Sequence, residues 1–389
     1  MTSGTLLEAL VLFLGVLIAF ANGSNDVSKG VATLAGSGVC DLRRAVRWGV
    51  IWTGLGSLAS ASVAHAMLKA FGRGLFAPGV TPSLIAALAT IGGATLWVAL
   101  SSWRGWPVST THAIIGALAG VGVLAYGPQG MRWGEIGTTL LLPLLLSPIA
   151  ALMLTVIGIR FWSALSPGTA DCLCVAAAAP MAMAMAGTMT STLEMSTAPA
   201  LRIEACNATQ SPITPPGLRL SINHLHWLTS AGASFARGLN DSPKMVAILL
   251  AAAAIGAVSA PVHTPFVLAI AAGIVLGSLI AGRKVTRLLA HGITQMSHRE
   301  GFVANFVTAG LVGPGAALGL PMSTTHVATG AIMGLALGQG KSVDRRAVAH
   351  ILLAWVVTLP FAAALGMIVF VLLRGAAPHL PAIWMAGAR

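Results

Sequence analysis

The apolar residues of this chain fall in runs about 20 residues long, the length of helix that crosses a bilayer. Residues 83–102 and 302–320 are two of them. Inside hydrocarbon every backbone N–H and C=O must be satisfied within the protein, which leaves helices or closed barrels. A barrel needs short strands of alternating polarity, and the sequence has no such pattern. Only 8% of the residues are charged and 56% are hydrophobic, whereas a soluble domain carries about 25% charged residues. The expected fold class is an all-α polytopic membrane protein. The first apolar run, residues 6–20, ends in a polar motif and not at a small-residue cleavage site, so it reads as a membrane helix rather than a signal peptide. The formal charge of +12 does not point to nucleic acid, because most Lys and Arg lie in short loops where they set orientation. Cys40, Cys172, Cys174 and Cys206 form no zinc pattern.

One segment carries charge into the apolar runs, and it occurs twice. Phe20-Ala-Asn-Gly-Ser-Asn-Asp-Val-Ser-Lys-Gly-Val-Ala32 is matched by Phe235-Ala-Arg-Gly-Leu-Asn-Asp-Ser-Pro-Lys-Met-Val-Ala247, at an offset of 215. A second motif recurs at an offset of 214: Pro107-x-Ser-Thr-Thr-His-x-x-x-Gly-Ala-x-x-Gly120 and Pro321-x-Ser-Thr-Thr-His-x-x-x-Gly-Ala-x-x-Gly334. Preserved spacing over such distances means an internal repeat. The chain divides into a first membrane half, 1–165, a linker, 166–220, and a second membrane half, 221–389. The linker is rich in Ala, Met, Ser, Thr and Pro and is expected to be partly disordered.

Basic residues indicate how the halves are related. Arg43, Arg44 and Arg47 follow the first motif, while the equivalent loop near 259–265 has no Lys or Arg. After the next span the bias reverses: Arg283, Lys284, Arg287 and Arg299 outnumber Lys69 and Arg73. Cytoplasmic loops collect Lys and Arg, so equivalent loops are expected on opposite sides of the membrane. The halves are therefore expected to be inverted-topology repeats with broken helices. Both termini and the turn at 69–82 are placed outside, and the linker in the cytoplasm. Residues 83–125 either cross twice or form a re-entrant hairpin with the Ser-Thr-Thr run at its tip; both return the chain to the same side.

Each motif has a chemistry. Gly23 and Gly238 permit an unwound backbone whose freed carbonyls, with Asp26, Asp241, Asn25 and Asn240, would suit a hard cation. The same residues are also good caps for two half-helices. Lys29 and Lys244 could neutralise the aspartates, attract an anion, or snorkel. Pro followed by Ser-Thr-Thr reads as a helix start. The free amides, dipole and hydroxyls of Ser109, Thr110, Thr111, Ser323, Thr324 and Thr325 would make a neutral anion cradle. His112 and His326 are open to roles as ligand, proton carrier or packed hydrogen-bonded side chain. No acid is placed to orient a Ser–His pair and there is no Gly-x-Ser-x-Gly elbow, so the chain is not expected to be an enzyme.

These residues resemble the inorganic phosphate transporter (PiT) family of sodium- or proton-coupled symporters. The likeness is carried by Gly23-Ser-Asn-Asp-Val-Ser-Lys29, Gly238-Leu-Asn-Asp-Ser-Pro-Lys244 and both Ser-Thr-Thr-His copies. It covers both halves and excludes the linker. The resemblance implies cation-coupled symport of inorganic phosphate across the cell (inner) membrane by alternating access. Phosphate would contact the six hydroxyls and be reached by Asn25 and Asn240. Asp26, Asp241 and Asn22 would serve the coupling cation, with Asp26 and Asp241 as the metal ligands if it is sodium, and no other cofactor is implied. Membrane lipid is the remaining partner, and Gly-rich faces permit a homodimer. The alternative is a sulfate or other oxyanion permease of the same fold. Lys29 and Lys244 stand where the family has Asn, and an ammonium there would repel sodium.

Overall fold

The computed structural model describes residues 3–62, 75–165, 172–175, 201–204, 219–255 and 263–376. Most of the linker and part of the 69–82 turn lie outside these residues. The first half contains α1 (Ser3–Asp26), α2 (Ser28–Gly36), α3 (Leu42–Ala59), α4 (Leu84–Arg104), α5 (Thr110–Tyr126) and α6 (Leu142–Leu165). The second contains α7 (Ile222–Ile255), α8 (His263–Ala281), α9 (Arg283–His291), α10 (His298–Ala317), α11 (Thr324–Gln339) and α12 (Arg345–Ala376). Between them, β1 (Cys172–Val175) pairs antiparallel with β2 (Leu201–Glu204) and β3 (Arg219–Ser221). Cys172 and Cys174 thus lie on a strand.

Among the described residues four helices are long and apolar enough to cross a membrane, and α8 with α9, bent by 67°, can make a fifth. Outward-facing apolar side chains such as Leu145, Ile149, Val356 and Leu372 give α6 and α12 a surface suited to lipid.

The packing pattern repeats. α1 packs on α8 and α4, as α7 packs on α3 and α10. The last helix of each half crosses over: α12 packs on α4 and α5 of the first half, and α6 packs on α10 and α11 of the second. The Gly-Ala-x-x-Gly motif is what permits these crossings. A Cβ on Gly116 would strike the Leu359 backbone on α12, and one on Gly330 would strike the Pro148 backbone on α6. Small residues let membrane helices approach this closely.

Two expectations need correction. The first motif does not unwind at Gly23: α1 stays helical to Asp26, and the chain breaks only at Val27, whose backbone is still right-handed. The second motif lies within one continuous helix, α7, despite Pro243. Gly23 and Gly238 serve close packing instead. A Cβ at Gly23 would collide with the Ile274 carbonyl of α8, and one at Gly238 with the Thr53 carbonyl of α3. The charged side chains of each motif pair along their own segment. Similarly, the basic stretch after the first motif is no loop. Asp41 caps α3 by accepting from the Arg44 amide at 2.7 Å, so Arg43, Arg44 and Arg47 lie on the exposed side of its first turns.

The helices opened by Ser-Thr-Thr are short. α5, with 17 residues, spans about 25 Å at ~1.5 Å per residue, less than the ~30 Å hydrocarbon core. α11, with 16 residues, is shorter still. Each follows a helix that turns back at a positive-φ glycine, Gly105 after α4 and Gly319 after α10. Both pairs are hairpins.

Candidate functional site

Helical spacing lines up the charges of each motif. Asn22, Asp26 and Lys29 share one helix face, and Arg237, Asp241 and Lys244 repeat the pattern on α7. All six are at most 4% exposed. The N-termini of α5 and α11 close against these faces, so all the residues singled out in the two motifs converge at the centre of the bundle.

The Lys29 ammonium donates to Asn25 O, Asn25 Oδ1 and Asp26 Oδ1, each at 2.7 Å. Its three donors are thereby used, and of the roles open to it the structure shows neutralisation of Asp26. The other Asp26 oxygen accepts from Asn22 Nδ2 at 2.8 Å and from Thr110 Oγ1 at 3.4 Å. Lys244 is held differently. Its Nζ donates to Met322 O at 2.7 Å and reaches across to Thr111 Oγ1 at 2.9 Å, while Asp241 Oδ1 stands 3.6 Å away. Asp241 also accepts from Asn240 Nδ2 at 2.9 Å and Asn22 Nδ2 at 3.2 Å. Asn25 and Asn240 tie the two hairpins to the helices, through Trp106 O and Met322 O respectively. Neither motif caps α2, since Val27 precedes it with no side-chain cap.

Ser109 and Ser323 cap α5 and α11 by accepting from the His112 and His326 amides. The two serines meet, Ser323 Oγ donating to Ser109 Oγ at 2.9 Å. Thr325 Oγ1 donates to Val108 O at 2.8 Å, and Thr324 is buried beside it. His112 and His326 stack with ring centroids 4.5 Å apart, and His326 also stacks on Trp355 of α12 at 3.8 Å. His326 Nδ1 also lies 2.6 Å from Ser323 Oγ, so the structure displays this pair as packed side chains, one of them hydrogen-bonded.

Arg237 had no assigned role, although it is the charge that the second motif carries where the first has Asn22. Its guanidinium donates to Asn22 Oδ1 and Thr53 Oγ1, both at 3.3 Å, and its Nε lies 3.7 Å from Asp241 Oδ2. Replacing Arg237 with Met should lower unfolding free energy by about 1.5–3 kcal/mol, the worth of hydrogen bonds to a charged group. Thermal unfolding of the detergent-solubilised protein reads this directly.

Asn22 with Arg237, Ser109 with Ser323, and His112 with His326 are all equivalent positions in the two halves. Equivalent residues touch one another where a two-fold axis passes between them. Three cations, Lys29, Arg237 and Lys244, face two carboxylates, Asp26 and Asp241, and leave one positive charge over. Two helix N-termini add a partial positive charge of about 0.5 each. A buried, positively biased centre lined by hydroxyls suits a small anion.

The model of the phosphate transporter family matches residues 22–366. The chain is 29% identical to the chloroplastic inorganic phosphate transporter 2-1 of Arabidopsis thaliana, over 93% of its own length and 71% of that protein. It is 27% identical to a protein of Pyrococcus abyssi with a provisional phosphate permease name, over 94% and 97%. A solved structure titled the sodium-dependent phosphate transporter superposes with a TM-score of 0.75 at 22% identity, covering 95% of this chain and 99% of that one. At that identity the likeness concerns the fold. Matched by its family model across both motifs, the chain belongs to the phosphate transporter family and is a multi-pass membrane transporter, not an enzyme.

Proposed function

We propose that the chain is a phosphate symporter that works by alternating access between two inverted halves, and that its coupling ion is the proton. The observation that carries the coupling ion is Lys29. Its ammonium already sits among three oxygens at 2.7 Å, the backbone, amide and carboxylate set that a hard cation would seek. A tethered cation there opposes sodium by repulsion and occupancy. The proton has two carriers at hand: phosphate itself, and the carboxylates Asp26 and Asp241. A carboxylate can accept a hydrogen bond from protonated phosphate but repels fully ionised sulfate, which favours phosphate over other oxyanions. The contacts between equivalent residues support a two-fold relation. The alternation of basic loops supports its inversion and a cytoplasmic linker in the cell (inner) membrane.

In this reading Ser109, Thr110, Thr111, Ser323, Thr324 and Thr325 donate to phosphate, with Asn25 and Asn240 holding the hairpins around it. Uptake of radiolabelled phosphate into proteoliposomes tests it. An inward proton gradient should drive accumulation, replacing sodium with choline should leave it unchanged, and excess sulfate should not compete. Lys29→Asn should make uptake respond to sodium, because it vacates the oxygen cage. Strict sodium dependence of the wild-type protein would sink the proton assignment, and block by sulfate would sink the phosphate selectivity.

A further inference from the structure

A cavity of about 920 Å³ opens on the outside of the bundle between the C-terminal end of α4, helix α9 and the first half of α12. Arg104, Lys284, Arg287, His291 and His350 line it, and among the described residues no Asp or Glu does. The remaining wall is apolar, with Leu100, Leu353, Val357 and Phe361. Two of the cations meet the tryptophans at the end of α4. Lys284 Nζ donates to Trp103 O at 2.9 Å, and the Arg104 guanidinium lies 5.5 Å and 5.8 Å from the Trp103 and Trp106 ring centroids. Trp103 and Trp106 are exposed. Exposed tryptophans beside Lys and Arg mark the level of a membrane interface.

The basic loops place this end of the molecule in the cytoplasm, and that leaflet carries the anionic lipids. Leu100, Leu353 and Phe361 are exposed, so the apolar wall continues onto the lipid-facing surface. Only an amphiphile uses both parts of such a cavity. Its acyl chains would lie along α12 and its phosphodiester among Arg104, Lys284 and Arg287. Free phosphate would leave the apolar wall unused.

We propose that this cavity binds an anionic phospholipid of the cytoplasmic leaflet, and that the bound lipid steadies the α4–α5 hairpin. The hairpin link is direct, since Trp106 lines the cavity and its carbonyl accepts from Asn25 at 2.8 Å. α12, the cavity's other wall, carries Trp355, which stacks on His326. The sidedness rests on the inverted arrangement proposed above, but lipid binding does not require that the protein carry phosphate.

Native mass spectrometry of the purified protein, exchanged into phosphatidylcholine with and without phosphatidylglycerol, tests the site. Wild-type protein should retain phosphatidylglycerol. The double variant Lys284→Gln, Arg287→Gln should retain roughly 30-fold less, at about fivefold per basic residue near an anionic surface. Measured against its own transition in phosphatidylcholine alone, the variant should lose the increment that phosphatidylglycerol adds to wild type. Inorganic phosphate in pure phosphatidylcholine should not supply that increment. Equal retention by variant and wild type would overturn the proposal, as would stabilisation by inorganic phosphate that depends on Lys284 and Arg287. These readouts are independent of uptake, so failure of the transport reading is recognised separately.

Discussion

Asp26→Asn and Asp241→Asn should each reduce concentrative phosphate uptake by about 100-fold or more while leaving the protein in the membrane. The substitution keeps size and shape, so the packing around α1 and α7 survives. What changes is charge. Removing one partner of a buried ion pair leaves the other without its counter-ion, and every ~1.4 kcal/mol by which that charge disfavours one state of the transport cycle is a factor of ten. Asp26→Asn deprives Lys29 of its carboxylate partner at 2.7 Å. Asp241→Asn removes the carboxylate shared by Arg237 at 3.7 Å and Lys244 at 3.6 Å. In both variants three cations face a single carboxylate, and on the proton-coupled reading proposed above one of the two carboxylates that would carry the proton is lost. On the same reading phosphate would meet a site of higher positive charge from which it is harder to release, with no carboxylate proton to accompany it on that side. Uptake assays on membranes with matched protein content measure the effect. Uptake close to wild type in both variants would remove the aspartates from the mechanism.

The second large effect is structural. Gly23→Val and Gly238→Val should each cost about 3 kcal/mol or more, at or beyond the upper range for overpacking. Even a Cβ would fall on backbone, the Ile274 carbonyl in one case and the Thr53 carbonyl in the other. Backbone inside a packed helix pair cannot swing aside as a side chain can. Ser278 Oγ donates to Gly23 O at 3.1 Å, so separating α1 from α8 would also break that bond. Low yield of monodisperse protein and a lowered thermal transition are the expected results, and Gly→Ala at either position should show the same tendency. If the glycines instead served an unwound, ion-coordinating backbone, the Ala variants would fold normally and fail only in uptake.

The contrast between the glycines and the aspartates shows where sequence reading succeeds. The Asp-Asn and Ser-Thr-Thr motifs were legible because a charge or a hydroxyl run is costly in hydrocarbon unless it has a partner. Two copies at matched offsets locate those partners in each other's neighbourhood. The helix starts at Ser109 and Ser323 were legible for the same local reason, a cap followed by a helix-forming run. Gly23 was misread as a point of unwinding. A glycine in a membrane helix serves equally to free a backbone or to admit one, and only the neighbouring helix distinguishes them. Arg237 lay in the open as the extra charge of the second motif. Its importance depends on Asn22, 215 residues away in the chain, which no local pattern announces.

Read by itself, the sequence determined that this chain forms apolar helices and that two polar motifs occur twice at matched offsets. It also determined that each occurrence sets an Asp and a Ser-Thr-Thr helix start within the apolar runs, and it left the place of the Lys open. These follow from composition and spacing, because unpaired polar groups in a bilayer have few solutions. Tertiary structure alone decided which cation each carboxylate takes. Lys29 closes on its own Asp26, while Lys244 leans across to Thr111 in the other half. It also decided that α6 and α12 exchange between halves, and that Arg104 on α4 and Lys284 on α9 share a cavity with α12. Coulomb energy depends on separations of a few ångströms and on how much water remains, and those distances are set by how helices far apart in the chain come to cross.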